Sequence, residues 1–257
     1  MFVEYSFELI ALLSAVGLIA GLIDAIAGGG GLLTIPALMT AGLPPHIALG
    51  TNKLAASFGS ATASFTFYKK ALFVPKFWLN AMLATFIGSV IGTFAVSYVD
   101  ASWLEKYIPI FILCFAVYSM LQKRVDIQGD EHPTINHRNK KKQKIQGSLL
   151  GFYDGFLGPG TGSFWTISTM SLYRINILMA TGVAKTMNFI SNFLSLVVFI
   201  YLGMIHWEIG IFMGISIMIG SWIGAHMAIR LGSDMIRPVF ISCVIAMSGY
   251  LIYESWF

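Results

Sequence analysis

The chain is a succession of apolar runs separated by short polar turns. The runs fall at about 9–27, 31–43, 46–68, 77–98 and 104–121, and a second set follows at about 146–157, 161–172, 177–202, 207–229 and 236–253. Most approach the ~20 residues that a helix needs to cross ~30 Å of hydrocarbon. The runs at 31–43 and 161–172 are among those that do not: at ~1.5 Å per residue each extends about 20 Å. They predict helical hairpins whose tips stop inside the membrane, one entering from each side. Irregular backbone at that depth is tolerable only where protein buries it or it lines a cavity.

The two sets repeat each other. Adding 130 to Gly21, Asp24, Gly28 and Gly30 gives Gly151, Asp154, Gly158 and Gly160. Adding 132 to Gly50, Lys53, Gly88, Ser89 and Gly92 gives Gly182, Lys185, Gly220, Ser221 and Gly224. A match at nearly constant offset over so long a stretch points to duplication rather than to shared apolar composition. The expected organisation is a first transmembrane repeat over 1–122, a basic cytoplasmic linker over 123–144 and a second transmembrane repeat over 145–257. The fold class is an all-α integral membrane protein in which each repeat holds one glycine-tipped re-entrant hairpin and about three spanning helices.

Composition agrees, since 56% of the 257 residues are hydrophobic and only 11% charged, against roughly a quarter charged in soluble domains. Seven of the 16 Lys and Arg lie between Lys123 and Lys144. That clustering answers the nucleic-acid reading of the +4 net charge, because a basic loop between hydrophobic blocks marks the cytoplasmic side. If the second repeat is inverted, every Lys and Arg outside the membrane faces the cytoplasm except Lys106. If the repeats are parallel, Arg174, Arg230 and Arg237 move outside. Inversion satisfies the positive-inside rule better and sends both termini outward. The N-terminal run, without a preceding basic residue, reads as a first helix rather than a removable signal. Cys114 and Cys243 lie in apolar runs and read as small packing residues, and Trp78, Trp103, Trp207 and Trp256 near helix ends read as interfacial anchors.

Charge inside the apolar runs is where chemistry is expected. Gly28, Gly29, Gly30 and Gly31 interrupt one helix just before another begins, and Gly158-Pro-Gly160-Thr161-Gly162 repeats the arrangement. A helix starting at such a tip presents free N–H groups and its positive dipole end, an anion site in outline. Close packing through small residues is the other reading of these glycines. Lys53 and Lys185 lie seven or eight residues inside their helices at equivalent positions. An intramembrane lysine costs at least ~2.5 kcal/mol and is by default a functional hypothesis, with snorkelling to an interface as the alternative. Thr51 and Asn52 before Lys53, and Asn188 and Asn192 on the Lys185 face, are candidate polar lining or interhelical glue. Asp24 and Asp154, one turn before each tip, read either as proton-coupling carboxylates or as static partners of a lysine in their own or the other repeat. The sequence shows no phosphate-binding loop, metal cluster or Ser-His-Asp arrangement, so no metal, no cofactor and no catalytic residue is expected.

Asp24-Ala-Ile-Ala-Gly-Gly-Gly-Gly31, Pro36, Gly50-Thr-Asn-Lys53 and Gly151-Phe-Tyr-Asp-Gly-Phe-Leu-Gly-Pro-Gly-Thr-Gly162 closely resemble the TauE/SafE-type sulfite exporter family, also called toluene sulfonate uptake permeases. The resemblance covers nearly the whole chain and is greatest to the branch described as probable membrane transporters. It implies a multi-pass secondary transporter of the bacterial inner membrane, moving sulfur-containing anions such as sulfite or sulfonates. The family is described with about eight membrane helices, which departs from the count above unless the hairpins are counted otherwise. The expected partners are therefore a small anionic substrate, the lipid bilayer and, as a candidate coupling ion, the proton, with no nucleic acid. The expected mechanism is alternating access around the tips and lysines. The alternative is an anion channel or a non-transporting sensor using the same cavity.

Overall fold

Proline and asparagine set where several of the helices begin. Pro45 and Pro75 occupy first-turn positions, where a missing N–H costs nothing, while Asn136 and Asn176 accept N-cap hydrogen bonds from Asn139 and Met179. The computed structural model describes residues 6–121, 133 and 136–231, with a few isolated positions near the C-terminus. All regular structure among them is helical: α1 (Phe7–Ala27), α2 (Gly31–Thr40), α3 (Pro45–Lys69), α4 (Pro75–Ser97), α5 (Ala101–Leu121), α6 (His137–Phe156), α7 (Thr161–Tyr173), α8 (Ile177–Tyr201) and α9 (Trp207–Leu231). The apolar run expected at 236–253, with Cys243, lies outside the described residues but for Gly249, Ile252 and Tyr253.

Four of these helices, α1, α4, α8 and α9, are long and apolar enough to cross a membrane. Their outer faces fit hydrocarbon better than water. Leu79, Leu83, Phe86, Ile87 and Ile91 on α4, and Phe212, Ile215, Ile219 and Trp222 on α9, are all exposed. So continuous an apolar surface marks a membrane protein. Helix α3 is as long but polar, and it is polar because protein surrounds it: Thr51, Asn52, Lys53, Ser57 and Ser60 are all buried. It packs against α8 and α9, and α8 in turn packs against α3, α4 and α7.

The outer helices join across the chain. α1 packs on α9, and α4 packs on α6. Both contacts depend on missing side chains. A Cβ at Gly88 or Gly92 would lie 2.5 or 2.1 Å from the carbonyl oxygens of Ser148 or Phe152, and at Gly220 or Gly224, 2.0 or 2.3 Å from those of Leu18 or Leu22. Backbones approach this closely only through small residues.

Three local expectations change. Helix α6 starts at His137, inside the segment read as a loop, because Lys, Arg and Gln favour helix as well as apolar residues do and hydropathy is blind to them. Trp78 is not an interfacial anchor: it is 1% exposed and packs edge-on against Phe77 and Tyr173 at 4.8 and 4.7 Å. Trp103 and Trp207 are exposed near helix starts, as an anchor requires, whereas Cys114 is exposed rather than packed.

Candidate functional site

The site is built where two interrupted helices touch. Asp24 lies in the last turn of α1, which stops at Gly28 in the left-handed conformation (φ 78°), its N–H returned to the Asp24 carbonyl. Asp154 lies in the last turn of α6, followed by Gly158 and Gly160 with φ of 92° and 77°. The tips meet directly. Ser163 donates its backbone N–H to the Gly28 carbonyl at 3.2 Å and its hydroxyl to the Ala27 carbonyl at 2.6 Å. A Cβ on Gly28 would lie 2.6 Å from the Gly162 carbonyl carbon. Tyr153 steadies the second tip by donating to the Pro159 carbonyl at 2.7 Å.

The lysines cross over. Lys53 of α3 pairs with Asp154 at 2.7 Å and donates to Asn192 Oδ1 at 3.1 Å and to the Asp154 carbonyl, while Lys185 of α8 pairs with Asp24 at 3.0 Å and donates to the Asp24 carbonyl. Each lysine therefore binds the carboxylate and the terminal carbonyl of the helix that ends at the other half's tip. A cation beside the last carbonyls of a helix also opposes the negative end of its dipole. The two pairs are unequal: the Lys53–Asp154 side chains are 2% and 4% exposed, whereas Asp24 is 21% exposed. Ser191 donates to Asp154 Oδ2, and the residue 132 positions earlier is Gly59, which offers Asp24 nothing. Asp24 Oδ1 instead accepts the Gly30 N–H at 3.0 Å.

Between the tips and lysines lies a cavity of about 40 Å³, lined by Asp24, Asn52, Lys53, Asp154 and Asn188 among others. A space of that size has room for a few waters. Of the residues expected here, Gly28, Gly30, Gly31, Asn52, Lys53, Gly158, Gly160, Thr161, Gly162, Asn188 and Asn192 line it, together with both aspartates. Three stand apart. Thr51 points away and accepts the His206 N–H at 2.9 Å, Gly29 is not part of the wall, and Lys185 sits behind Asp24. The Thr161 hydroxyl closes its own tip by donating to the Gly158 carbonyl at 2.7 Å. Asn188 is 6% exposed and its Oδ1 has no hydrogen-bond partner among the described residues.

Three contributors went unnoticed in the sequence: Ser191, Thr34 and Ser60. Thr34 Oγ1 lies within hydrogen-bond distance of Asn52 Oδ1 and the Gly30 carbonyl. The signal for Ser191 was present, because Lys185, Asn188, Ser191 and Ser195 recur every three to four residues along one face of α8. Among the described residues no group of His, Cys, Asp and Glu could hold a metal ion.

A helical bundle with apolar outer faces and a charged cavity at the meeting of two broken helices is the architecture of a membrane transport protein. Residues 13–251 match the sulfite exporter TauE/SafE family, and the chain belongs to that family. It is similar to a probable membrane transporter protein of Haemophilus influenzae, 37% identical over 99% of both chains. It is also similar to the probable membrane transporter protein YfcA of Escherichia coli K12, 38% identical over 96% of this chain and 91% of that one. A more distant relative is YunE of Bacillus subtilis, 22% identical over 96% of this chain and 98% of that one. No solved structure matches the chain. The protein is a membrane transporter and not an enzyme.

Proposed function

We propose that the protein is a secondary carrier of a small anion, a sulfur oxyanion or organosulfonate, working by alternating access in the bacterial inner membrane. The observation that carries this reading is the crossed arrangement of Lys53–Asp154 and Lys185–Asp24 around touching glycine tips. Each aspartate supplies the lysine it meets with the negative charge that a bound anion would bring. An arriving anion takes the place of a carboxylate at a lysine and accepts N–H groups from the first turns of α2 and α7.

The carrier is read as two inverted repeats, 1–122 and 145–257, flanking the basic segment 123–144, with α1–α2 and α6–α7 as hairpins entering from opposite faces. Support comes from the packing. The contacts of Gly88 and Gly92 on Ser148 and Phe152 recur as those of Gly220 and Gly224 on Leu18 and Leu22, at offsets of 132 and 130 residues. Helices α2 and α7, of 10 and 13 residues, extend only ~15 and ~20 Å. Inequality of the two halves is also what a carrier caught in one state requires: Lys53 lines the cavity now, and Lys185 takes that place when the halves exchange conformations. Asp24, the more exposed carboxylate, is the candidate proton carrier.

Flux of sulfite and of an alkylsulfonate into liposomes holding the purified protein tests the reading. Saturable uptake with exchange, lost in Lys53→Ala and Lys185→Ala proteins that still fold, is expected. Conduction without saturation would instead mean a channel.

A further inference from the structure

Away from the tips, helix α6 changes character along its length. Its first two turns carry Arg138, Lys140, Lys141, Lys142 and Lys144, and from Ile145 onward apolar residues dominate. Arg138, Lys142, Ile145 and Leu149 are spaced four, three and four apart, so they form one stripe with a cationic end and an apolar body. That stripe borders a groove of about 340 Å³, walled by Lys142, Ile145, Gln146, Leu149 and Leu150 of α6 and by Ser168 and Leu172 of α7. Ile145 and Leu149 are 52% and 66% exposed, so the groove opens on the outside of the bundle.

Its cationic end is held in place. Lys142 donates to the Leu172 carbonyl at 2.7 Å, near the C-terminus of α7, and its ammonium sits 5.6 Å from the centre of the Tyr173 ring. An ammonium has three donors, so this contact leaves two. Arg174, exposed and in the left-handed conformation, follows directly after Tyr173 at the same end. The matching position in the first half carries no charge: the residue 130 positions before Lys142 is Leu12, which is exposed.

We propose that this groove seats one anionic phospholipid, with an acyl chain between α6 and α7 and the phosphate against Lys142, Arg138 and Arg174. A small inorganic anion would have no use for four apolar walls. A zwitterionic lipid would bring a positive charge of its own towards three cations already there. Because α6 carries Asp154 and α7 starts at the second glycine tip, the seated lipid braces the pair of helices that builds one side of the transport cavity.

The test is native mass spectrometry of the full chain with phosphatidylglycerol or phosphatidylcholine, alongside thermal melting with each lipid and with inorganic phosphate. Wild-type protein is expected to retain phosphatidylglycerol in preference, with each cation removed in Arg138→Gln and Arg174→Gln lowering that preference about fivefold. Leu150→Trp, which fills the groove, should reduce retention of either lipid. Lys142→Gln also removes a contact to α7, so the two arginine variants decide the matter. Equal retention of both lipids by the wild type, an unchanged preference in the arginine variants, or stabilisation by inorganic phosphate equal to that by phosphatidylglycerol would each overturn the proposal.

Discussion

At the level of single residues, the buried ion pairs make the sharpest predictions. Removing Lys53 leaves Asp154 buried with its countercharge gone, which typically costs ~3–5 kcal/mol. Lys53→Met should therefore lower the melting temperature and abolish flux together. Adding Asp154→Leu removes the orphaned charge as well, so the double variant should melt near the wild type yet carry nothing. If it carries substrate, the lysine only holds the fold together. The carboxylates divide differently. Asp24→Asn should keep anion exchange but lose accumulation driven by a pH gradient, whereas Asp154→Asn, disturbing the more buried pair and its Ser191 bond, should lose both. Retained pH-driven accumulation in Asp24→Asn would remove Asp24 from proton coupling. Charge in an apolar run made Asp24, Lys53, Asp154 and Lys185 legible in the sequence. Which aspartate meets which lysine was not legible, since the partners lie 101 and 161 positions apart and only tertiary packing chooses between them. Thr51 fails for a local reason: two residues before Lys53 is ~200° around the helix, so it faces α9's approach rather than the cavity.

At the level of elements, two glycines separate backbone strain from contact. Gly28 and Gly42 both have left-handed φ, but a Cβ on Gly28 meets the α7 backbone at 2.6 Å while one on Gly42 meets nothing within 4 Å among the described residues. Gly42→Ala should cost only the conformational penalty, about 1–2 kcal/mol, with transport kept. Gly28→Ala adds the overlap and should separate the tips, with flux lost even where melting shows a folded protein. Equal behaviour of the two variants would mean that tip contact is not needed. The short helices behind these tips were legible from the length of their apolar runs, because a run too short to span remains so wherever it packs. The start of α6 was not, since its first turns are charged and lie outside any apolar stretch. Trp78 misled for the converse reason: nearness to a helix end says nothing of whether Phe77 and Tyr173 enclose it.

For the whole molecule, the offsets of 130 and 132 residues raise the expectation of two related halves, and charge placement that of their inversion. How the halves join was hidden. Glycine spacing marks a face for close contact but not its partner, so the packing of α1 on α9 and of α4 on α6 emerges only in three dimensions. Helices ending at one tip are held by helices from the other end of the chain, α1 by α9 and α6 by α4, so in the proposed carrier neither half closes its side alone. Inversion then has a direct consequence. Thr40 at the end of α2 and Ser171 near the end of α7 are both exposed, and the proposed topology puts them on opposite faces of the membrane. In intact cells a membrane-impermeant thiol reagent should modify Thr40→Cys and leave Ser171→Cys untouched until the membrane is opened, with Cys114 and Cys243 replaced beforehand to remove their background. If both sites react from outside, the hairpins enter from one face, and a mechanism in which the two halves exchange roles cannot operate.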